Sequence, residues 1–274
     1  MLFLVWWGLG LLGAHLATGP KPSEVPPRTQ IGGHAIEAVT TTTEDGVAVK
    51  GWLVRGRPSS EGCVVLAAGI RGNRTAMVDR AAWYLGRGWS TLLVDLRGTG
   101  ESAATRITMG WHEARDLRAW ATFLGANGFL RIAVHGQSLG AAAAVYTAVQ
   151  ASPPAWHFVV LEACYADIHE AVAARLPVPS VLAWPLVVCS EWLLGIDADD
   201  LVPVRAIARL QAATFLITGA LDEQGGADAA ARLLAACGAT KKQRYEVPDV
   251  GHIDLWPAGG DGLRRRLAGF LSDR

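Results

Sequence analysis

The spacing of apolar and polar positions changes several times along the chain, and each change marks an element. Residues 2 to 20 carry no Lys, Arg, Asp or Glu, and Leu, Val, Trp, Gly and Ala dominate them. Such a run, residues 1–19 in outline, reads as a signal peptide or an N-terminal anchor at the lower limit of spanning length. Ala17-Thr18-Gly19 roughly fits a small-x-small cleavage site, which favours export. Lys21 and Arg28 follow the run, which favours an enzyme left on the cytoplasmic side. The expectation is a membrane-associated or exported protein, with the side of the membrane open. The Pro-rich residues 20–33 read as a stiff, extended linker, so that the folded domain spans 34–274.

Within that domain, His34 to Thr43 and Val47 to Arg55 flank Glu44-Asp45-Gly46 and predict an antiparallel hairpin. From Cys63 onwards, strand-like and helix-like runs alternate. This predicts an α/β fold with a mostly parallel central sheet and helices on both faces. Leu117, Trp120, Ala121 and Leu124 give one apolar helix face, with Glu113 and Asp116 in its first turn as structural acids. The alternation breaks between residues 165 and 211. A helix over Ala166 to Arg175 ends at Leu176-Pro177-Val178-Pro179, and an apolar stretch with Trp184, Pro185 and Trp192 runs to Gly195.

Chemistry enters at Gly136-Gln137-Ser138-Leu139-Gly140. The pentapeptide lies between a strand-like run, Arg131 to His135, and an alanine-rich helical run, Ala141 to Val149. A serine in a G-x-S-x-G turn between strand and helix is a nucleophile elbow. The nucleophile needs a base, and the base an orienting acid, in the chain order Ser, Asp or Glu, His. Asp222 follows the strand-like run Ala213 to Gly219, and His252 follows the run Gln243 to Val247. Both fall at the carboxyl ends of strands, where open α/β sheets bind ligands. Glu162, at the end of the run His157 to Leu161, is the rival acid.

These motifs resemble the α/β-hydrolases of the serine aminopeptidase-like and monoacylglycerol-lipase-like group, from about residue 34 to the C-terminus. Asp95 to Ser102 matches that group's D-x-R-G-x-G-x-S loop, Leu216 to Asp222 its acid loop, and Gly251-His252 its closing G-H. The resemblance implies the α/β-hydrolase fold, with a short helical cap over residues 165–211 that decides substrate choice. It also implies an oxyanion hole from the backbone N–H groups of Leu139 and Ile70. Where the group usually reads H-G-x, this chain has Ala68-Gly69-Ile70, so a histidine support of that loop is missing.

Composition narrows the function further. Formal net charge is zero and no basic tract exists, which argues against a nucleic-acid partner. Cys63, Cys164, Cys189 and Cys237 lack metal-ligand spacing and read as buried packing residues. Neither metal nor cofactor is expected, and the GxGxxA-like run Gly98 to Ala103 fits a dinucleotide fingerprint poorly. The expected activity is hydrolysis of a small-molecule or lipid-like carboxylic ester through Ser138, His252 and Asp222, by way of an acyl-enzyme. Trp184, Trp192 and Arg71 are candidate substrate contacts. Acyl transfer, thioester or peptide cleavage would use the same triad. A catalytically silent lipid- or partner-binding protein is the alternative from another class.

Overall fold

A computed structural model of the chain describes residues 2–57, 62–176, 178–223, 225 and 228–272. The strands are β1 (Lys21–Pro22), β2 (Gln30–Ile31), β3 (His34–Thr42), β4 (Ala48–Val54), β5 (Gly62–Ala67), β6 (Ser90–Val94), β7 (Thr99–Gly100), β8 (Arg131–Gln137), β9 (Phe158–Glu162), β10 (Ala213–Gly219) and β11 (Lys242–Val247). The helices are α1 (Leu2–Thr18), α2 (Val78–Leu85), α3 (Glu113–Ala126), α4 (Leu139–Tyr146), α5 (Ile168–Arg175), α6 (Ser180–Leu194), α7 (Pro203–Ala206), α8 (Ala229–Ala236) and α9 (Leu255–Ser272).

Nine strands form one sheet in the order β11-β10-β9-β8-β5-β6-β4-β3-β2. Pairing is parallel from β11 to β6 and antiparallel from β6 through β4 and β3 to β2. The expected hairpin is β3–β4, with Thr42 opposite Ala48. β5 shows why the sheet is covered on both sides. Cys63, Val65 and Ala67 pack with α3 and α4, and Val64 and Leu66 pack on the other face with α2 and α9. A strand buried on both faces reads as an unbroken apolar run. After β5 the chain steps to β6, and it then returns to β8 on the opposite side of β5. That reversal is a topological switch point, and the crevice above it is where such sheets hold ligands.

The D-x-R-G-x-G-x-S loop after β6 is a charged scaffold. Asp95, fully buried, accepts from the backbone N–H of Arg74 (2.6 Å), the Arg74 guanidinium (2.7 Å) and the N–H of Glu101 (2.9 Å). Arg97 pairs with Asp116 and Asp45. Arg74 and Arg97 are thus committed to local acids, and Glu113 and Asp116 are structural as expected. Glu113 caps its helix start by accepting from Thr108 and Gly110. All four cysteines are free and buried. Burial pushes the Cys164 thiol up to about 12, which removes it as a nucleophile.

Residues 20–33 depart from the linker expectation. Lys21–Pro22 pairs with Thr99–Gly100, Val25 is buried against the α2 face of the sheet, and β2 extends the sheet before residue 34. Proline confines a chain to extended conformations, and here that extended path is used to lie along the domain. Residues 2–18 form α1, which packs mainly on α6 in the cap. Seventeen residues rise only about 26 Å, and the apolar layer of a bilayer is about 30 Å thick. Among the described residues, no helix is long and apolar enough to cross a membrane.

Beneath the end of β8 lies a buried polar cluster. Glu162, at the end of β9, accepts from the His135 ring (2.5 Å) and takes both prongs of Arg80 from α2 (2.8 and 2.6 Å). Arg80 also reaches Asp254 in the loop before α9 (2.5 Å). Burial lowers the His135 pKa, so the ring is neutral. It donates from Nε2 to Glu162 and accepts at Nδ1 from the Tyr84 hydroxyl at 3.1 Å. Burial pushes the Glu162 carboxyl up, but the Arg80 charge and hydrogen bonds, helped by His135, outweigh it and hold the group at about 2. A carboxyl depressed below its ordinary value stabilises the fold above pH about 4.5, and this contribution is lost as pH falls towards about 2. Glu162→Gln removes the buried carboxylate that takes both prongs of Arg80 and leaves only the half-exposed Asp254 as its counter-charge, which costs up to roughly 3–5 kcal/mol. Urea denaturation from pH 7 to pH 2 is expected to show that loss at neutral pH, together with a shallower fall of stability below pH about 4.5. Wild-type stability in the variant at pH 7 contradicts the ion-pair account.

Candidate active site

Backbone sterics place the candidate nucleophile. Ser138, between β8 and α4, has φ +48° and ψ −106°, a conformation that L-residues rarely adopt. A Cβ at Gly136 would overlap the Gly140 carbonyl, and one at Gly140 would overlap the carbonyl oxygen of Ala67. Both glycines of the motif are therefore fixed by close approach of backbone to backbone. The Ser138 N–H donates to the Glu162 carbonyl oxygen at 2.8 Å, which ties the elbow to β9. Strain of this kind costs about 1–3 kcal/mol and persists only where the surroundings enforce it.

The two loops at the ends of β10 and β11 bring an acid and a histidine to the serine. The N–H groups of Ala220 and Leu221 donate to the carbonyls of Val247 and Val250, so the acid loop and the histidine loop hold each other. Asp222 is nearly buried and lies 3.0 and 3.1 Å from His252 Nδ1. His252 Nε2 lies 3.2 Å from Ser138 Oγ. With the Nδ1 proton directed at a carboxylate, Nε2 is left to accept the Ser138 O–H. Glu162 faces away from His252 into the His135–Arg80 cluster, so it is Asp222 that reaches the imidazole. Asp254 of that cluster lies two residues beyond His252, so Arg80 also pins the far side of the histidine loop.

Ile70 and Leu139 line the same chamber as Ser138. The loop carrying Ile70 lacks the expected histidine, and other groups support it. Gly72 N–H donates to Gly69 O at 2.9 Å, Asn73 caps Thr75, and Arg74 clamps the loop end onto Asp95. The Asp95 motif is thus the support of the oxyanion-loop candidate, a connection the separation of the two segments in sequence hides.

The chamber has a volume of about 520 Å³. Beside Ser138, its walls include Met109, Tyr165, Ile168, Val172 and Leu186. Arg71 is exposed at its edge. Trp184 and Trp192, expected as pocket residues, are placed elsewhere. Trp184 packs edge-on against Trp7 with ring centroids 5.3 Å apart, and Trp192 is 76% exposed. Gly13, Leu16 and Ala17 of α1, and Lys21 beyond it, line the chamber in their place. The sequence signal for this is the spacing of Gly10, Gly13, Ala14 and Ala17, which puts small residues along one side of a helix. Among the described residues, no cluster of His, Cys, Asp or Glu is arranged to hold a metal ion.

Comparison with known proteins gives the family and the fold. The family model described as serine aminopeptidase, S33, matches residues 58–203, just over half of the chain and including the elbow. An uncharacterized protein of Mycobacterium tuberculosis, Rv2307c, is 32% identical over 239 residues, covering 86% of this chain and 79% of its own. The Pyrococcus furiosus esterase Pf2001 superposes with a TM-score of 0.73 at 20% identity, over 92% of this chain and 98% of that one. An acetyl xylan esterase from Paenibacillus sp. R4 gives a TM-score of 0.67 at 16% identity, over 97% and 93%. At such identities the two structures speak for the fold, and the family match carries the kinship. The chain belongs to the serine aminopeptidase S33 family of hydrolases, built on the α/β-hydrolase fold.

Proposed function

We propose that the protein is a serine hydrolase of carboxylic esters with an apolar, lipid-like acyl group. The observation that carries this reading is the continuous line from Asp222 through His252 to Ser138, which opens into an apolar chamber. In the first half-reaction, His252 Nε2 takes the Ser138 proton as Oγ attacks the ester carbonyl. Negative charge then develops on the carbonyl oxygen, where the N–H groups of Ile70 and Leu139 would receive it. Losing one such donor typically costs about 10²–10³ in turnover. The imidazolium, stabilised by Asp222, gives its proton to the departing alkoxide. Water attacks the acyl-Ser138 ester by the same path in reverse, releasing acid and restoring the serine. The fold is shared with proteins named as esterases, which supports an ester over a peptide substrate. Arg71, at the chamber edge, suits a substrate carboxylate or phosphate.

Membrane association through residues 2–19 belongs to the same proposal. Leu4, Leu9 and Leu12 of α1, with Trp184 and Trp192 of α6, are at least half exposed. Lys21 and Arg106, at the C-terminal end of α1, supply positive charge for anionic headgroups. Flotation with anionic phosphatidylglycerol vesicles is expected to carry the protein, and Leu4→Glu/Leu9→Glu to abolish this. A wild-type protein that stays behind contradicts membrane association.

Turnover of p-nitrophenyl esters tests the triad. Ser138→Ala is expected to abolish it with the fold intact, and Asp222→Asn to lower kcat by roughly 10⁴ through the wrong tautomer of His252. Full activity in either variant contradicts the assignment.

A further inference from the structure

Packing of α1 on α6 is close and specific. Trp6 Nε1 donates to Leu182 O at 3.3 Å, Trp7 meets Trp184, Gly10 faces Pro185 and Gly13 faces Leu186. The contacts advance together along both helices, so α1 and α6 run side by side in the same direction. A Cβ at Gly10 would lie 2.5 Å from Pro185 Cβ, and one at Gly13 would lie 3.0 Å from Leu186 Cδ1. Glycine at these positions sets how near α1 comes, because small residues let helix backbones approach. The C-terminal end of α1 is fastened to the catalytic domain. Ile107 N–H donates to Thr18 O at 2.8 Å, Arg106 reaches the Thr18 hydroxyl at 3.1 Å, and Lys21 N–H donates to Gly98 O at 2.6 Å.

This placement has a consequence for substrate. Leu186, seated against Gly13, lines the chamber that also holds Ser138, and Leu16 and Ala17 line it from α1 itself. Ile168, Ala171 and Val172 of α5 contribute further apolar wall. We infer that α1 and α6 together form a two-helix lid whose inner side, chiefly Leu16 with Leu186, is the acyl-binding wall that sets the chain length accepted at Ser138. The inference rests on the ester-hydrolase reading for its kinetics, but the wall itself is a binding site for a straight apolar chain ending in a carboxyl or ester group. Leu16 is the specificity-determining residue. It is 61% exposed, so its side chain can be enlarged or trimmed at the chamber without disturbing the core.

Two readouts on the full chain test this. The first is the ratio of kcat/KM for p-nitrophenyl dodecanoate to that for p-nitrophenyl acetate. Each apolar methylene kept in water forfeits about 0.8 kcal/mol. Leu16→Trp, which excludes two or three of them, is expected to lower the ratio about 10-fold or more, and Leu16→Ala to raise it. The second needs no turnover: binding of a fluorescent fatty acid, measured by its displacement with dodecanoate. Leu16→Trp is expected to weaken this binding by a similar factor, with a wild-type melting curve. Unchanged ratio and unchanged binding in both variants overturn the inference while leaving the hydrolase reading intact. Chain binding that depends on Leu16 in a protein that cleaves no ester upholds the wall and contradicts the hydrolase reading instead.

Discussion

Three backbone segments meet within van der Waals distance under Ser138: the end of β5 at Ala67, the end of β8 at Gly136, and the first turn of α4 at Gly140. No side chain fits between them, and the serine is driven into a left-handed conformation as a result. The rest of the site follows from that crowding. It lifts the hydroxyl above the sheet edge and sets Leu139 beside it. It also brings the Ile70 loop, which continues from Ala67, to the same chamber.

The crowding can be sustained because the elements around it are fixed by buried charge. Glu162 holds the underside of the elbow through its carbonyl, and its carboxylate holds His135, Arg80 and, through Arg80, the loop after His252. Asp95 does the corresponding work for the Ile70 loop through Arg74. Such pairs are expensive to break once one partner is left unpaired in the core. They fix positions more than they add net stability, and position is what the proposed triad, with reach of only about 3 Å, demands.

How much of this the sequence discloses depends on the range of the interaction. The elbow is local: strand, two glycines and helix lie within sixteen residues, Arg131 to Tyr146. Asp222 and His252 are legible because loop position after a strand fixes the sheet edge on which a side chain sits. Glu162 shows where that rule ends. It lies at the same edge, yet its side chain points beneath the sheet end into partners 27 and 82 residues away, which no local pattern reveals. The N-terminal run is ambiguous for another reason. An uncharged apolar helix satisfies a bilayer and a protein groove equally well. Only the Gly10–Gly13 spacing favours the groove, and its partner, Pro185 in α6, lies far along the chain. Trp184 and Trp192 illustrate the same limit, since a cap helix has two sides and composition does not say which one faces the serine.

The central claim is that Ser138 becomes acylated by substrate. Acid quenching of the Asp222→Asn protein during turnover of a p-nitrophenyl ester, followed by peptide mass spectrometry, tests it most directly. The expected result is the acyl mass increment on the peptide bearing Ser138 and at no other serine. Ester turnover with no increment at Ser138, or with the increment on another side chain, contradicts it.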